Sequence, residues 1–254
     1  MKKIVVIPAR LGSSRLPEKV ILDLAGKPVV QWVYERALSA NYIDEVYIAT
    51  DSERVKEICL EFTENVIMTS EAHQSGTDRI AEAVQSIEAD VIINVQGDEP
   101  LISPEVIDQL AGQFDENPDL QMGSVKTPIS KVHDALDPNV VKVVTNAEGY
   151  AIYFSRSPIP YPRDLFDSLQ GVELLPEDLK YFKHLGIYGY TKDFIQKYSQ
   201  LTPTYLETTE KLEQLRVLEN GYAIKMVETD YSPVGIDTAE DLEKARKIME
   251  TLEV

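Results

Sequence analysis

The chain has 254 residues, 43% hydrophobic and 27% charged, with 12 Gly and 14 Pro, which is enough globular sequence to bury a large core and excludes disordered, collagenous and disulfide-stapled scaffolds. Twenty-five Lys and Arg face 43 Asp and Glu, a formal net charge of −18. A molecule this acidic repels phosphate backbones and anionic lipid, so neither nucleic acid nor a membrane surface is expected as a partner.

The N-terminus begins with two lysines and an apolar run, but Pro8 and Arg10 cut that run after about four residues, short of the ~7–15 a secretory core needs. Residues 4–7 therefore read as a strand. Short β-branched runs recur at 46–49, 66–68 and 91–95, each bounded by polar or turn residues, and read as buried parallel strands. Between them Val30, Val33, Tyr34, Ala37 and Leu38 keep helical spacing, and residues 51–62 and 77–87 behave similarly. This alternation predicts an α/β fold, three layers around a mostly parallel sheet.

After Pro100 the rhythm changes. Strands are expected at 139–145, 150–154 and 185–190, with an irregular Pro-rich and acidic connection over 155–183. Thr204 and Glu207 form a capping box that predicts a helix running to Gly221, and residues 238–253 predict a terminal amphipathic helix through Leu242, Ala245, Met249 and Leu252. No linker or repeat divides the chain, so one domain with an embedded smaller lobe is expected. The single Cys59 can make no internal disulfide, which fits a reducing compartment, and the cytoplasm is the expected location.

Four places carry residues suited to chemistry. The loop from Pro8 through Ala9, Arg10, Gly12, Ser13, Ser14 and Arg15 to Lys19 follows the first strand and combines small residues with three cations, an anion cradle by composition. It matches neither G-x-x-x-x-G-K-[ST] nor G-x-G-x-x-G. The strand ending in Asn94 runs into Gln96-Gly97-Asp98-Glu99-Pro100, where Asp98 either ligates a hard metal or caps a turn. Asp237 has the same two readings, since it or Thr238 could cap the last helix; together, Asp98 and Asp237 suit a phosphate-bound Mg²⁺. His73 to Arg79 forms a polar turn opening a helix that Ser75 or Thr77 could cap.

The later half offers Arg156, able to hold a carboxylate, His184 and Tyr188, and a polar face with Glu210, Glu213 and Gln214. The three His lack zinc-site spacing and no G-x-S-x-G elbow occurs, so zinc and Ser-His-Asp hydrolase chemistry are not expected.

Six ordered motifs, beginning at Ile7-Pro8-Ala9-Arg10, His73-Gln74-Ser75-Gly76, Asn94-Val95-Gln96-Gly97-Asp98, Tyr153-Phe154-Ser155-Arg156, His184-Leu185-Gly186 and Leu212-Glu213-Gln214, make the chain resemble the 3-deoxy-manno-octulosonate cytidylyltransferase family over nearly its whole length. The resemblance implies a glycosyltransferase-A-like nucleotidyltransferase fold and a homodimer. It also implies Mg²⁺-dependent condensation of CTP with 3-deoxy-D-manno-oct-2-ulosonate (KDO) to CMP-KDO and pyrophosphate, ahead of lipopolysaccharide assembly. In that reading two Mg²⁺ ions sit on Asp98 and Asp237, and Arg10, Arg15 and Lys19 grip the triphosphate. Pro8, Ala9, Ser13, Gln74, Ser75, Gly76, Thr77 and Arg79 line the rest of the CTP site, and Gln96, Arg156, His184, Tyr188, Glu213 and Gln214 hold the sugar acid. Residues 1–125 then form the CTP-binding part, 126–222 the sugar-binding and dimerisation lobe, and 223–254 return to the main part.

One stretch departs from the family. Where it reads Leu-Pro-Gly-Lys-Pro-Leu, this chain has Leu16-Pro17-Glu18-Lys19-Val20-Ile21, which keeps the lysine and replaces the glycine with a carboxylate. Rival readings are the same reaction on an 8-amino sugar or an acylneuraminate, and a non-catalytic nucleotide or sugar-acid sensor. Acylneuraminate enzymes typically carry a Lys after Gly-Ser in the first loop, where this chain has Ser14-Arg15, and a sensor has no need of Lys19, Asp98 and Asp237 together.

Overall fold

A computed structural model describes residues 1–12, 15–73, 75–169 and 171–252. In chain order the elements are β1 (Lys3–Pro8), a small hairpin of β2 (Asp23–Leu24) and β3 (Lys27–Pro28), α1 (Val29–Leu38), β4 (Glu45–Thr50), α2 (Glu53–Cys59), β5 (Val66–Met68), α3 (Gly76–Ala83), β6 (Val91–Asn94) and α4 (Pro104–Glu116). There follow β7 (Met122–Ile129), α5 (Val132–Leu136), β8 (Lys142–Thr145), β9 (Ala151–Ser155), β10 (Tyr181–Thr191), α6 (Lys192–Tyr198), α7 (Tyr205–Glu210), α8 (Leu215–Glu219), β11 (Lys225–Glu228) and α9 (Ala239–Leu252).

The main sheet has the order β11-β7-β10-β6-β1-β4-β5. β1 lies parallel to both β4 and β6, and β4 parallel to β5, as the continuous apolar runs predict. Those runs are continuous because both faces are covered. Val5 and Ile7 pack with Val33, Ala37, Val55 and Leu110 on one side, while Ile4 and Val6 pack with Ile80, Val84 and Phe194 on the other. β10 runs antiparallel between β6 and β7, and β8 with β9 branches off β10. Cys59 is buried, and burial pushes its thiol up to about 12, which leaves it unreactive. No helix among the described residues is long and apolar enough to cross a membrane.

Three sequence expectations change, the first being that the strand expected over 185–190 already begins at Tyr181, within the expected irregular connection, because its first residues pair with β7. The helix expected from Thr204 to Gly221 is two helices, α7 and α8, because Lys211 turns left-handed with φ 56° and ψ 47° and ends the first. The capping box that opens α7 is present, with the Glu207 carboxylate accepting from the Thr204 N–H at 3.1 Å. The expected strand 139–145 is shorter at its start, since the backbone at Asp137 and Val140 turns to bring carbonyls onto the Lys142 ammonium.

Candidate active site

Parallel β1 and β6 are neighbours in register, with Val6 opposite Asn94, so the loops leaving their carboxyl ends emerge side by side. A side chain at position 97 would place its Cβ 2.8 Å from the Pro8 carbonyl oxygen. Gly97 is thus what lets these loops close on each other. A cleft of about 480 Å³ opens there, walled by Pro8, Arg10, Arg15, Lys19, Gly76, Gln96 and Asp98, with Asp237 reaching in from the segment before α9.

Lys19 stands at the meeting point. Its ammonium donates to the Asp98 carboxylate and, at 2.9 Å, to Asp237 Oδ1. Arg15 Nη2 holds the other Asp237 oxygen at 2.9 Å. Burial works to lower the Lys19 pKa, but the two carboxylates outweigh it and raise the value above that of an ordinary lysine. Arg10 also faces the cleft and makes no ion pair among the described residues. The two capping readings separate here: Thr238 shares its hydrogen bonds with Asp241 at the start of α9, Thr238 N–H donating to Asp241 Oδ2 at 2.9 Å, which frees the Asp237 side chain for the cleft.

Glu18, the departure from the family motif, has φ 59° and ψ 20°, a left-handed conformation that glycine adopts without steric cost. Its carboxylate pairs with Arg54 at the start of α2, tying the loop to the neighbouring layer.

The His73–Arg79 turn divides its work. Ser75 Oγ caps α3 by accepting from the Asp78 N–H at 3.1 Å, and Gly76 lies against Pro8 on the cleft wall. Thr77 is buried and donates to Glu213 Oε1 at 2.7 Å, which stitches this turn to the wall formed by Glu213. Arg79 borders the cleft, but its guanidinium is committed to Asp51 and Thr69. Ala9 is wholly buried and contributes backbone, its N–H donating to the Ala49 carbonyl at 2.8 Å. Ser13 and Gln74, also expected here, lie outside the described residues.

The residues expected to hold a sugar acid fall into three groups. Gln96 and Glu213 line the cleft. His184, Tyr188 and Gln214 are buried behind it as one network. Ser124 Oγ donates to the Ile187 carbonyl at 2.8 Å, so it accepts from His184 Nε2–H at 2.9 Å; His184 Nδ1 then accepts from the Gln214 amide at 3.3 Å, and Tyr188 donates to Gln214 Oε1 at 3.5 Å. Burial holds the His184 pKa down at about 3, so the ring is neutral. Arg156 stands apart from the wall, its guanidinium donating to the carbonyls of Pro138, Glu210 and Lys211.

The sequence reading did not single out Asn94 and Lys211, both of which line the cleft. Asn94 was legible as the polar end of an apolar strand; Lys211 carried no such signal. Among the described residues no group of three or more His, Cys, Asp or Glu side chains converges as a metal cage. Asp98 and Asp237 are the carboxylate pair on hand, and their convergence on one ammonium fits a cation completed by ligand oxygens.

A cytidylyltransferase family model matches residues 4–228. A 3-deoxy-manno-octulosonate cytidylyltransferase of Geotalea uraniireducens is 51% identical over 244 residues, 96% of this chain and 97% of the relative. One from Trichlorobacter lovleyi is 47% identical over 249 residues, 98% and 99% of the two chains. A solved structure of a CMP:2-keto-3-deoxy-manno-octonic acid synthetase complexed with CTP matches with a TM-score of 0.91 at 44% identity, covering 99% of this chain and 100% of that one. A cytidylyltransferase from Leptospira borgpetersenii shares the fold at a TM-score of 0.65 and 16% identity, over 99% of this chain and 87% of that one.

Proposed function

The chain belongs to the cytidylyltransferase family, and from that premise we propose that it couples CTP to KDO, forming CMP-KDO and pyrophosphate for lipopolysaccharide assembly. The observation that carries the reading is the junction of Arg15, Lys19, Asp98 and Asp237 in one cleft at the carboxyl ends of β1 and β6. The likeness to a synthetase that holds CTP supports the choice of nucleotide.

In the proposed reaction the sugar's anomeric hydroxyl oxygen bonds to the α-phosphorus, the bond from that phosphorus to the β-bridging oxygen breaks, and the hydroxyl gives up its proton as pyrophosphate departs. Two anions must approach each other, so charge neutralisation and positioning dominate and no protein nucleophile is needed. Arg10, Arg15 and Lys19 bind the triphosphate and stabilise the departing pyrophosphate. Pro8, Ala9, Gly76 and the cap of Ser75 shape the base and ribose pocket, and Arg79 and Thr77 hold that turn in place. Gln96 and Glu213 meet the sugar hydroxyls, with His184, Tyr188 and Gln214 as their buried support. Asp98 and Asp237 would hold Mg²⁺, one ion or two, which when bound supplies Lewis-acid polarisation of the phosphate oxygens.

Homodimerisation through the 126–222 lobe and a cytoplasmic location belong to the same reading. Exposed Ile152, Tyr161 and Leu174, each about 60% accessible, support a self-association surface there; buried, reduced Cys59 is compatible with a reducing compartment.

The test is pyrophosphate release from CTP, UTP, ATP or GTP, each with KDO, its 8-amino analogue or N-acetylneuraminate, with and without Mg²⁺. Release confined to CTP, KDO and metal is expected. Turnover of the 8-amino sugar alone would overturn the sugar assignment, and silence from folded protein across all pairs would overturn the enzyme reading.

A further inference from the structure

We propose that Lys211 binds the carboxylate of the sugar acid and that Arg156 positions it; the inference rests on the functional reading above and assigns a specific contact within it.

Lys211 lines the cleft, as Glu213 does two residues on. Most other cations on that wall are committed: Lys19 to Asp98 and Asp237, Arg15 to Asp237, Arg79 to Asp51, and His73 to Glu82. Lys211 makes no ion pair among the described residues, in a chain where acidic side chains outnumber basic ones 43 to 25. An uncommitted ammonium facing a cleft in such a protein is a site for an anion.

The reaction brings two anionic groups into this space, a triphosphate and a sugar carboxylate. Arg10, Arg15 and Lys19 all come from the segment after β1 and line the cleft, Arg15 and Lys19 paired with Asp237 and Asp98, where the triphosphate is expected. Lys211 comes from a different place, the turn between α7 and α8, where Thr77 and Glu213 join the two walls. The remaining anion, the carboxylate, is the one it suits.

Its backbone supports a special purpose. Left-handed geometry is disfavoured for a non-glycine residue, and such residues gather where the surroundings hold them for function. Here the holding group is Arg156: its Nε donates to the Glu210 carbonyl at 2.7 Å and its Nη2 reaches the Lys211 carbonyl at 3.5 Å. The Arg156 N–H and Ser155 hydroxyl hold the Glu210 carboxylate as well, at 2.9 and 2.6 Å. With its guanidinium spent on backbone carbonyls, Arg156 acts on the substrate through Lys211.

Initial-rate kinetics of pyrophosphate release separate the possibilities for wild type, Lys211→Met, Lys211→Arg and Arg156→Lys. Loss of a charged contact predicts a KM for KDO raised about 10-fold or more in Lys211→Met, with kcat and the KM for CTP within about twofold of wild type, the margin of a contact worth under 0.5 kcal/mol. Lys211→Arg should recover most of the loss, and Arg156→Lys should move KM for KDO in the same direction by less. The C1 carboxamide of KDO, which lacks the charge, should inhibit wild type and Lys211→Met equally. An unchanged KM for KDO in Lys211→Met, or a raised KM for CTP instead, overturns the assignment while leaving the functional reading intact. Wild type that turns over CTP with no KDO-like acid overturns both.

Discussion

The two flanks of the cleft are built on opposite electrostatic terms. Arg15 and Lys19 after β1, Asp98 after β6 and Asp237 before α9 reach in from loops and cancel one another's charge at the solvent edge of the cleft; the Arg15 and Asp237 side chains are 66% and 47% exposed, and Lys19 and Asp98 15% and 27%. Behind the other flank, Ser124, His184, Tyr188 and Gln214 are buried, neutral and joined by hydrogen bonds. Ion pairs that line an open cleft can be exchanged, so phosphate oxygens can take over the cations and a metal the carboxylates, and the exposed Arg15–Asp237 pair contributes little to stability. A buried network is expensive to break and holds its geometry before any ligand arrives. Substitutions on the first flank should therefore cost activity and spare the fold, and those on the second should cost stability.

The sharpest contrast is expected at Lys19. Removing a preorganised charge from a phosphoryl-transfer site costs on the order of 100- to 1,000-fold in turnover, so Lys19→Ala should fall by that much in pyrophosphate release while its thermal midpoint stays close to wild type. A large drop in the midpoint would break the comparison. On the buried flank the readout is stability against pH. His184 in the unfolded chain takes a proton near pH 6.5, whereas in the fold it does so only at about 3. The unfolded state thus binds more protons across that window, and stability falls as pH drops through 6.5. The loss attributable to this ring is about 2 kcal/mol at pH 5. Denaturant unfolding at pH 7 and pH 5 should show wild type losing about that much more than His184→Gln. Parallel losses in the two proteins would remove His184 as the buried neutral group.

Much of the first flank was legible in the sequence, because its signals are local. Strands β1, β4, β5 and β6 are apolar runs, and cations or carboxylates at strand ends need no partner to be noticed. The role of Asp237 became distinct only when Thr238 and Asp241 were seen to satisfy the start of α9. β7 was hidden by its polar residues: Ser124 serves His184, and Lys126 is buried over the Phe182 ring at 3.8 Å while pairing with Glu228 at 3.3 Å. α4 also lay outside the sequence reading, although Pro104 opens it and Val106, Ile107, Leu110 and Phe114 mark its buried face. The His184 network depends on β10 pairing with β7, and Ser124 lies 60 residues away in the chain. The break at Lys211 has neither Gly nor Pro to announce it, which is why one helix was expected where there are two.

The most direct test of the account is Mg²⁺-dependent pyrophosphate release from CTP and KDO by Asp98→Asn beside wild type, with thermal unfolding of both. The account predicts turnover lowered by at least about 100-fold, the scale of losing a key charge-stabilising group, in a protein that unfolds at nearly the wild-type temperature. Near-normal turnover at the same Mg²⁺ concentration would contradict it, because the junction of Lys19, Asp98 and Asp237 would then not be where the chemistry occurs.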